Sequence, residues 1–190
     1  MQRLFYSMML LFSFVSVQAQ DWKQSTDGYF TVLTASSEDE RYLPEVFSVL
    51  QKAKADLKRK GYVLAGTVTL TIHPSLESFQ ESSKMPWFVA ATSDRDDNLI
   101  QVQRLQVLKE RSSLTITLRH ELFHLAQPLD RSRWHAEGEA MLFAGEQPTA
   151  EPFRDISEEE LEAQLRQPGS TDSFYRAMAT AYLWTTRGKP

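Results

Sequence analysis

Two histidines four residues apart, with a glutamate directly after the first, open the chemistry of this sequence: His120-Glu121-Leu122-Phe123-His124. On a helix, positions i and i+4 lie one turn apart on the same face, so both imidazoles can turn a nitrogen toward one ion. Glu121 stands beside them, within reach of a water that such an ion would acidify. Apolar Leu118, Leu122 and Leu125 give this segment a face to pack. A catalytic zinc site commonly has three protein ligands and an open fourth position, so a further donor is expected downstream. Trp134-His135-Ala136-Glu137-Gly138-Glu139-Ala140 offers several. Of the 4 histidines in the chain, three fall between positions 120 and 135.

The candidates for the third donor differ in stereochemistry. Asp130 follows His124 by six positions, a spacing that needs a sharp turn of the kind glycine permits, whereas this chain has Gln127-Pro128. Pro128 ends the helix instead, because a residue before proline avoids the α region. His135 is a chemically good ligand but lies about 200° around a helix from Glu137. Glu139, also two positions from Glu137, cannot face the same ion and reads as solvent-facing or supporting.

HELFH together with WHAEGEA, whose Glu137 follows His124 after 12 intervening residues, resembles the gluzincin (peptidase MA-like) zinc metallopeptidases. In that family the second motif has the form W-x-x-E-G-x-A. The resemblance implies His120, His124 and Glu137 as ligands of one Zn2+ and Glu121 as general base. It also implies a tyrosine or histidine from a later helix as oxyanion donor. Tyr175 and Tyr182 are the candidates, with Tyr175 favoured because similar small domains carry a tyrosine near the start of this helix. The alternative for both is packing in the core. The implied fold is α+β, a small zincin domain with a mixed, few-stranded sheet packed on the HExxH helix and a helical C-terminal part. In gluzincins the strand before the zinc helix often lies at the sheet edge and pairs with an extended substrate. That implies a cleft-lining role for the hairpin of 87–93 and 99–103, whose alternative is an ordinary core hairpin with Trp87 buried. Related domains continue past the equivalent of Gly188, so a shallow cleft is expected.

The supporting elements follow from periodicity. Gly28–Thr34 reads as a strand, and Ser36-Ser37 with acids in the next turn starts a helix reaching Lys60, with Gly61 as its cap. The basic residues of its last turns read as a solvated face. Thr67–His73 is a strand, Ser75–Ser83 a short helix, and Trp87–Ser93 and Leu99–Gln103 two strands around the turn-forming Asp94–Asn98. His73 at a strand end reads as structural. Ser112 or Ser113 caps the zinc helix, which runs to about Gln127, and Trp134–Gly145 forms the glutamate helix. Ser157 with Glu160 makes a capping box for a helix to Gln167, its acidic run read as a solvated first turn. A last helix starts at Thr171 or Asp172 and continues to Thr186.

Residues 1–19 read as a secretory signal peptide, with Arg3 before an apolar stretch and Val17-Gln18-Ala19 at the cleavage site. The expected location is therefore secreted or periplasmic in a bacterium, with no stable membrane span after cleavage. Residues 20–190 read as one domain: 20–110 β-rich with one long helix, and 111–190 helical and carrying the zinc site. The formal charge of −4 gives no footprint for nucleic acid. With 0 cysteines there are neither disulfides nor a lipidation site. The expected partner is a peptide or protein substrate. The alternative is a catalytically inactive zinc-binding domain serving as a binding or assembly module.

Overall fold

A computed structural model describes residues 21–189; the predicted leader lies outside the described residues. Five strands form one mixed sheet in the order β1-β2-β3-β5-β4: β1 (Lys23–Thr26), β2 (Phe30–Thr34), β3 (Val68–Ile72), β4 (Ala91–Asp94) and β5 (Leu99–Val102). The pairs β2–β3 and β3–β5 are parallel, and both edges, β1 and β4, are antiparallel. Alternation explains the layer beneath the sheet. Phe30, Val32, Val68, Leu70, Ile72, Ile100 and Val102 are fully buried.

Two helices form that layer, α2 (Leu43–Arg59) and α5 (Leu114–Ala126). From α2, Val46, Val49, Leu50, Ala53 and Leu57 are buried at helical spacing, and from α5 Leu114, Leu118, Leu122 and Leu125. They share one core with the sheet, which also takes Ala140 and Phe143 from α6 (Arg133–Ala144). A second core lies between α6, α7 (Glu158–Arg166) and α8 (Thr171–Arg187), built on Met141, Leu161, Leu165, Ala181 and Trp184. Helix α6 thus serves both cores. The architecture is α+β, with a mixed sheet on helices followed by a helical region. No helix among the described residues is long and apolar enough to cross a membrane.

Gly138 shows how closely α6 and α8 approach. A Cβ there would lie 2.0 Å from Thr185 Oγ1 and 2.6 Å from the Ala181 carbonyl oxygen. A mid-helix glycine costs about 1 kcal/mol relative to alanine, and this contact explains its presence.

Three expectations need correction. The helix expected from 36 to 60 is broken into α1 (Ser37–Glu40) and α2. Pro44 occupies the first turn of α2, where proline is tolerated because its missing N–H would be unpaired anyway. The strand expected over Trp87–Ser93 begins only at Ala91, because Pro86–Val89 closes a turn, Val89 N–H donating to the Pro86 carbonyl at 3.0 Å. Gln103 Nε2 donates to the Trp87 and Val89 carbonyls at 3.0 and 2.7 Å, replacing a ladder. Trp87 itself is exposed. Helix α4 (Leu105–Glu110) was not expected. Its N-terminal cap is non-local: the Gln106 N–H donates to buried Asp39 at 3.2 Å, across 67 positions.

Candidate metal centre

Helix α5 carries the histidine pair, and its placement depends on the residue before them. Arg119 donates to Asp56 of α2 at 2.8 Å and to the Phe143 carbonyl of α6 at 2.8 Å, and its guanidinium covers the Phe143 ring. One side chain therefore ties α5 to both helices beside it. The helix ends as Pro128 requires, with Gln127 extended at ψ 157. Ser113 occupies the N-cap, as one of two expected, but makes no side-chain capping bond.

Helix α6 brings Glu137 to that pair. Trp134, one turn earlier, is held at both ends by α7: its backbone N–H donates to Glu162 at 2.9 Å and its indole N–H to Glu158 at 2.8 Å. Its ring packs edge-on against Trp184 of α8. The tryptophan and glycine of WHAEGEA are thus positioning residues, one fixing the start of α6 and the other its distance from α8. Glu158 keeps the exposed place in the first turn expected of it and also accepts from the indole.

The structure brings His120, His124 and Glu137 together. One nitrogen or oxygen from each lies within 4.8 Å of the others. His120 Nε2 and His124 Nε2 stand 3.2 and 3.3 Å from the same oxygen, Glu137 Oε2. All three side chains are largely buried. Donors about 2.0–2.1 Å from a central zinc at tetrahedral angles are about 3.3 Å apart. The donor set and spacing fit zinc.

The far nitrogens of both rings agree with this. His120 Nδ1 is 3.0 Å from Glu146 Oε2, so a proton held there leaves Nε2 free as a ligand. His124 Nδ1 is 2.8 Å from the Gln127 amide nitrogen, while Gln127 Oε1 is buried without a partner. Rotating the amide by a half-turn pairs Oε1 with an Nδ1–H and leaves His124 Nε2 as a lone-pair donor. That orientation supplies the tautomer that metal binding needs and puts the amide nitrogen at the buried position the oxygen had held. The other Glu137 oxygen, Oε1, is 3.6 Å from Arg133 Nε.

In the metal-free protein, burial disfavours the His120 imidazolium, but hydrogen bonding to Glu137 and Glu146 and the charge of Glu121 outweigh it. Its pKa lies well above the ordinary 6.5. Burial likewise disfavours the Glu137 carboxylate, and His124 and His120 outweigh that, holding its pKa well below 4.5. Such a cluster exchanges protons for a cation.

Glu121 is buried beside His120 and lines two cavities with it, one of about 750 Å³ and one of about 370 Å³. The larger contains all three cluster residues and is bordered by Thr92 and Ser93 of β4, the sheet-edge strand. The smaller is lined by Phe88, Ile116, Met141, Phe174 and Tyr175. Tyr175 is exposed there, while Tyr182 lines neither cavity and packs against the second core, its hydroxyl accepting from Gln147.

The remaining candidates lie outside the cluster. Asp130 is exposed. His135 stacks on Trp134 and lies 3.6 Å from Glu139, whose other ion-pair partner is Arg131. His73 is buried between Ser78 Oγ and Gln101 Oε1, each at 3.0 Å, and burial lowers its pKa, in keeping with a structural role. Sequence reasoning missed Glu146, Gln127 and Arg133. A glycine after the glutamate helix was the available signal for Glu146. Gly145 takes the left-handed conformation at φ 76, and Gly145 and Glu146 donate back to Leu142 and Met141, a helix ending that turns the next residue back toward the helix. No family model, curated protein or solved structure matches the chain.

Proposed function

We propose that the protein is a gluzincin-like zinc metallopeptidase, in which His120, His124 and Glu137 hold one Zn2+ and Glu121 is the general base. The observation that carries this is the single oxygen of Glu137 set 3.2 and 3.3 Å from the two imidazole nitrogens of an HExxH helix. Zinc in such a site acidifies water and polarises a carbonyl. The chain's own groups supply the rest. Glu121 removes the proton from the attacking water and returns it to the leaving amine. Glu146 and Gln127 hold the protons on the outer ring nitrogens, and Arg133 steadies the free oxygen of Glu137. Tyr175, exposed in the smaller cavity that Glu121 also lines, donates to the developing oxyanion. The free edge of β4 gives an extended peptide a strand to pair with.

The protein is read as one domain exported by its leader and acting on peptides outside the cytoplasm. Zinc-loaded wild type should hydrolyse unstructured peptide substrates, and Glu121→Gln should abolish hydrolysis while still holding zinc. A Glu121→Gln protein as active as wild type, or zinc-loaded wild type inert on every peptide offered, would favour the binding-module reading.

A further inference from the structure

The larger cavity is basic although the chain as a whole carries a formal charge of −4. Lys84, Arg95, Arg131, Arg133 and Arg166 line it, arriving from the end of the α3 helix (Leu76–Ser83), the β4–β5 turn, the start of α6 and the end of α7. Against them stand Glu121, Glu137 and Glu162. Two of these acids are already engaged: Glu137 Oε2 faces the imidazoles, and Glu162 accepts from Trp134 through Oε1 and stands 3.9 Å from Arg166 through Oε2. Arg131 and Arg133 approach Glu139 and Glu137 through Nε, at 3.5 and 3.6 Å. Among the described residues, no hydrogen bond engages the terminal nitrogens of either guanidinium, and Arg95 forms no ion pair. Free guanidinium forks on the wall of a cleft match a carboxylate, which they bind with two parallel hydrogen bonds.

We propose that this wall, centred on Arg95, Arg131 and Arg133, is a subsite for a substrate carboxylate one or two residues from the cleaved bond. The inference rests on the peptidase reading and names its substrate class, acidic peptides. The spacing follows from Arg133, which reaches Glu137 directly, while an extended chain advances about 3.3–3.6 Å per residue. The carboxylate comes from an acidic side chain or from the chain end.

Three hexapeptides separate these sources: one capped at both ends with a single central Glu, its Gln counterpart, and a Gln peptide with a free C-terminus. Their binding to zinc-loaded Glu121→Gln protein is measured by isothermal titration, so the result is read without turnover. Failure of hydrolysis in the wild type therefore speaks against the peptidase reading alone. The Glu peptide should bind about tenfold more tightly than its Gln counterpart, and the preference should shrink with added salt. A matching gain for the third peptide assigns the chain end as a source. Arg95→Gln with Arg131→Gln, both outside the metal cluster, should reduce the preference to under about twofold. Equal affinities for all three peptides, no binding of any at millimolar concentration, or a preference unchanged in the double variant overturns the proposal.

Discussion

Glu146 Oε2 lies 3.0 Å from Nδ1 of His120, on the side of the ring away from Glu137. The contact fixes the ring's rotation and selects the tautomer with its lone pair on Nε2. Partners of this kind contribute about 10–100-fold to metal affinity. Glu146→Ala should therefore weaken zinc binding by about that factor with an unchanged circular dichroism spectrum, measured by competition with a chromophoric chelator. Unaltered affinity would remove Glu146 from the site.

Proton and metal compete for the same cluster, and the signs differ for its members. His120 has its pKa raised, so its contribution to metal-free stability is complete below 6.5 and is lost as pH rises through the raised value. Glu137 has its pKa lowered, so its contribution is complete above 4.5 and is lost as pH falls through the lowered value. The metal-free protein should gain most from these groups between 4.5 and 6.5. Zinc requires neutral His120, so the difference in Tm between zinc-loaded and metal-free protein should widen above that window. Titrations in buffers of different ionisation enthalpy should show proton release. A constant Tm difference from about pH 5 to 8 would contradict the proton count.

Gly138→Ala forces a methyl group into the α6–α8 contact, 2.0 Å from Thr185 Oγ1 and 2.6 Å from the Ala181 carbonyl oxygen. Overpacking of this kind costs about 1–3 kcal/mol, occasionally more, and should appear as a lower urea midpoint together with weaker zinc binding. Adding Thr185→Ala should restore only part of the loss, because the Ala181 backbone remains. A single variant as stable as wild type would mean that the two helices separate freely.

Arg119→Met removes the ion pair to Asp56 and the hydrogen bond to the Phe143 carbonyl while keeping an unbranched stem. The expected loss is about 2 kcal/mol, read from the urea midpoint. Zinc affinity should fall with it, because α5 and α6 lose a shared anchor. Loss of stability with zinc affinity intact would show that the anchor does not set the distance between the metal helices.

How much of this was legible in the sequence depended on range. The histidine pair and the helix end at Pro128 are encoded within a few residues by helical pitch and proline chemistry, whereas Glu137 was singled out by the resemblance that WHAEGEA carries; the structure brings it to the two histidines. The capping box at Ser157 and Glu160 is equally local. What escaped was set by distant partners. Helix α4 is capped by Asp39, the 87–90 segment is held by Gln103, and Glu158 serves Trp134. Glu146 is intermediate, since its backbone turn is local but its target, His120, lies 26 positions earlier. The basic cavity wall converges from four parts of the chain, and no single window of sequence displays it.

Whether His120, His124 and Glu137 hold one zinc ion is read most simply from zinc content after equilibration at limiting free metal, compared across wild type, His120→Ala, His124→Ala and Glu137→Ala. One zinc per wild-type chain and little in each folded variant is expected. A metal-free wild type, or a Glu137→Ala protein that still carries one full equivalent, would contradict it.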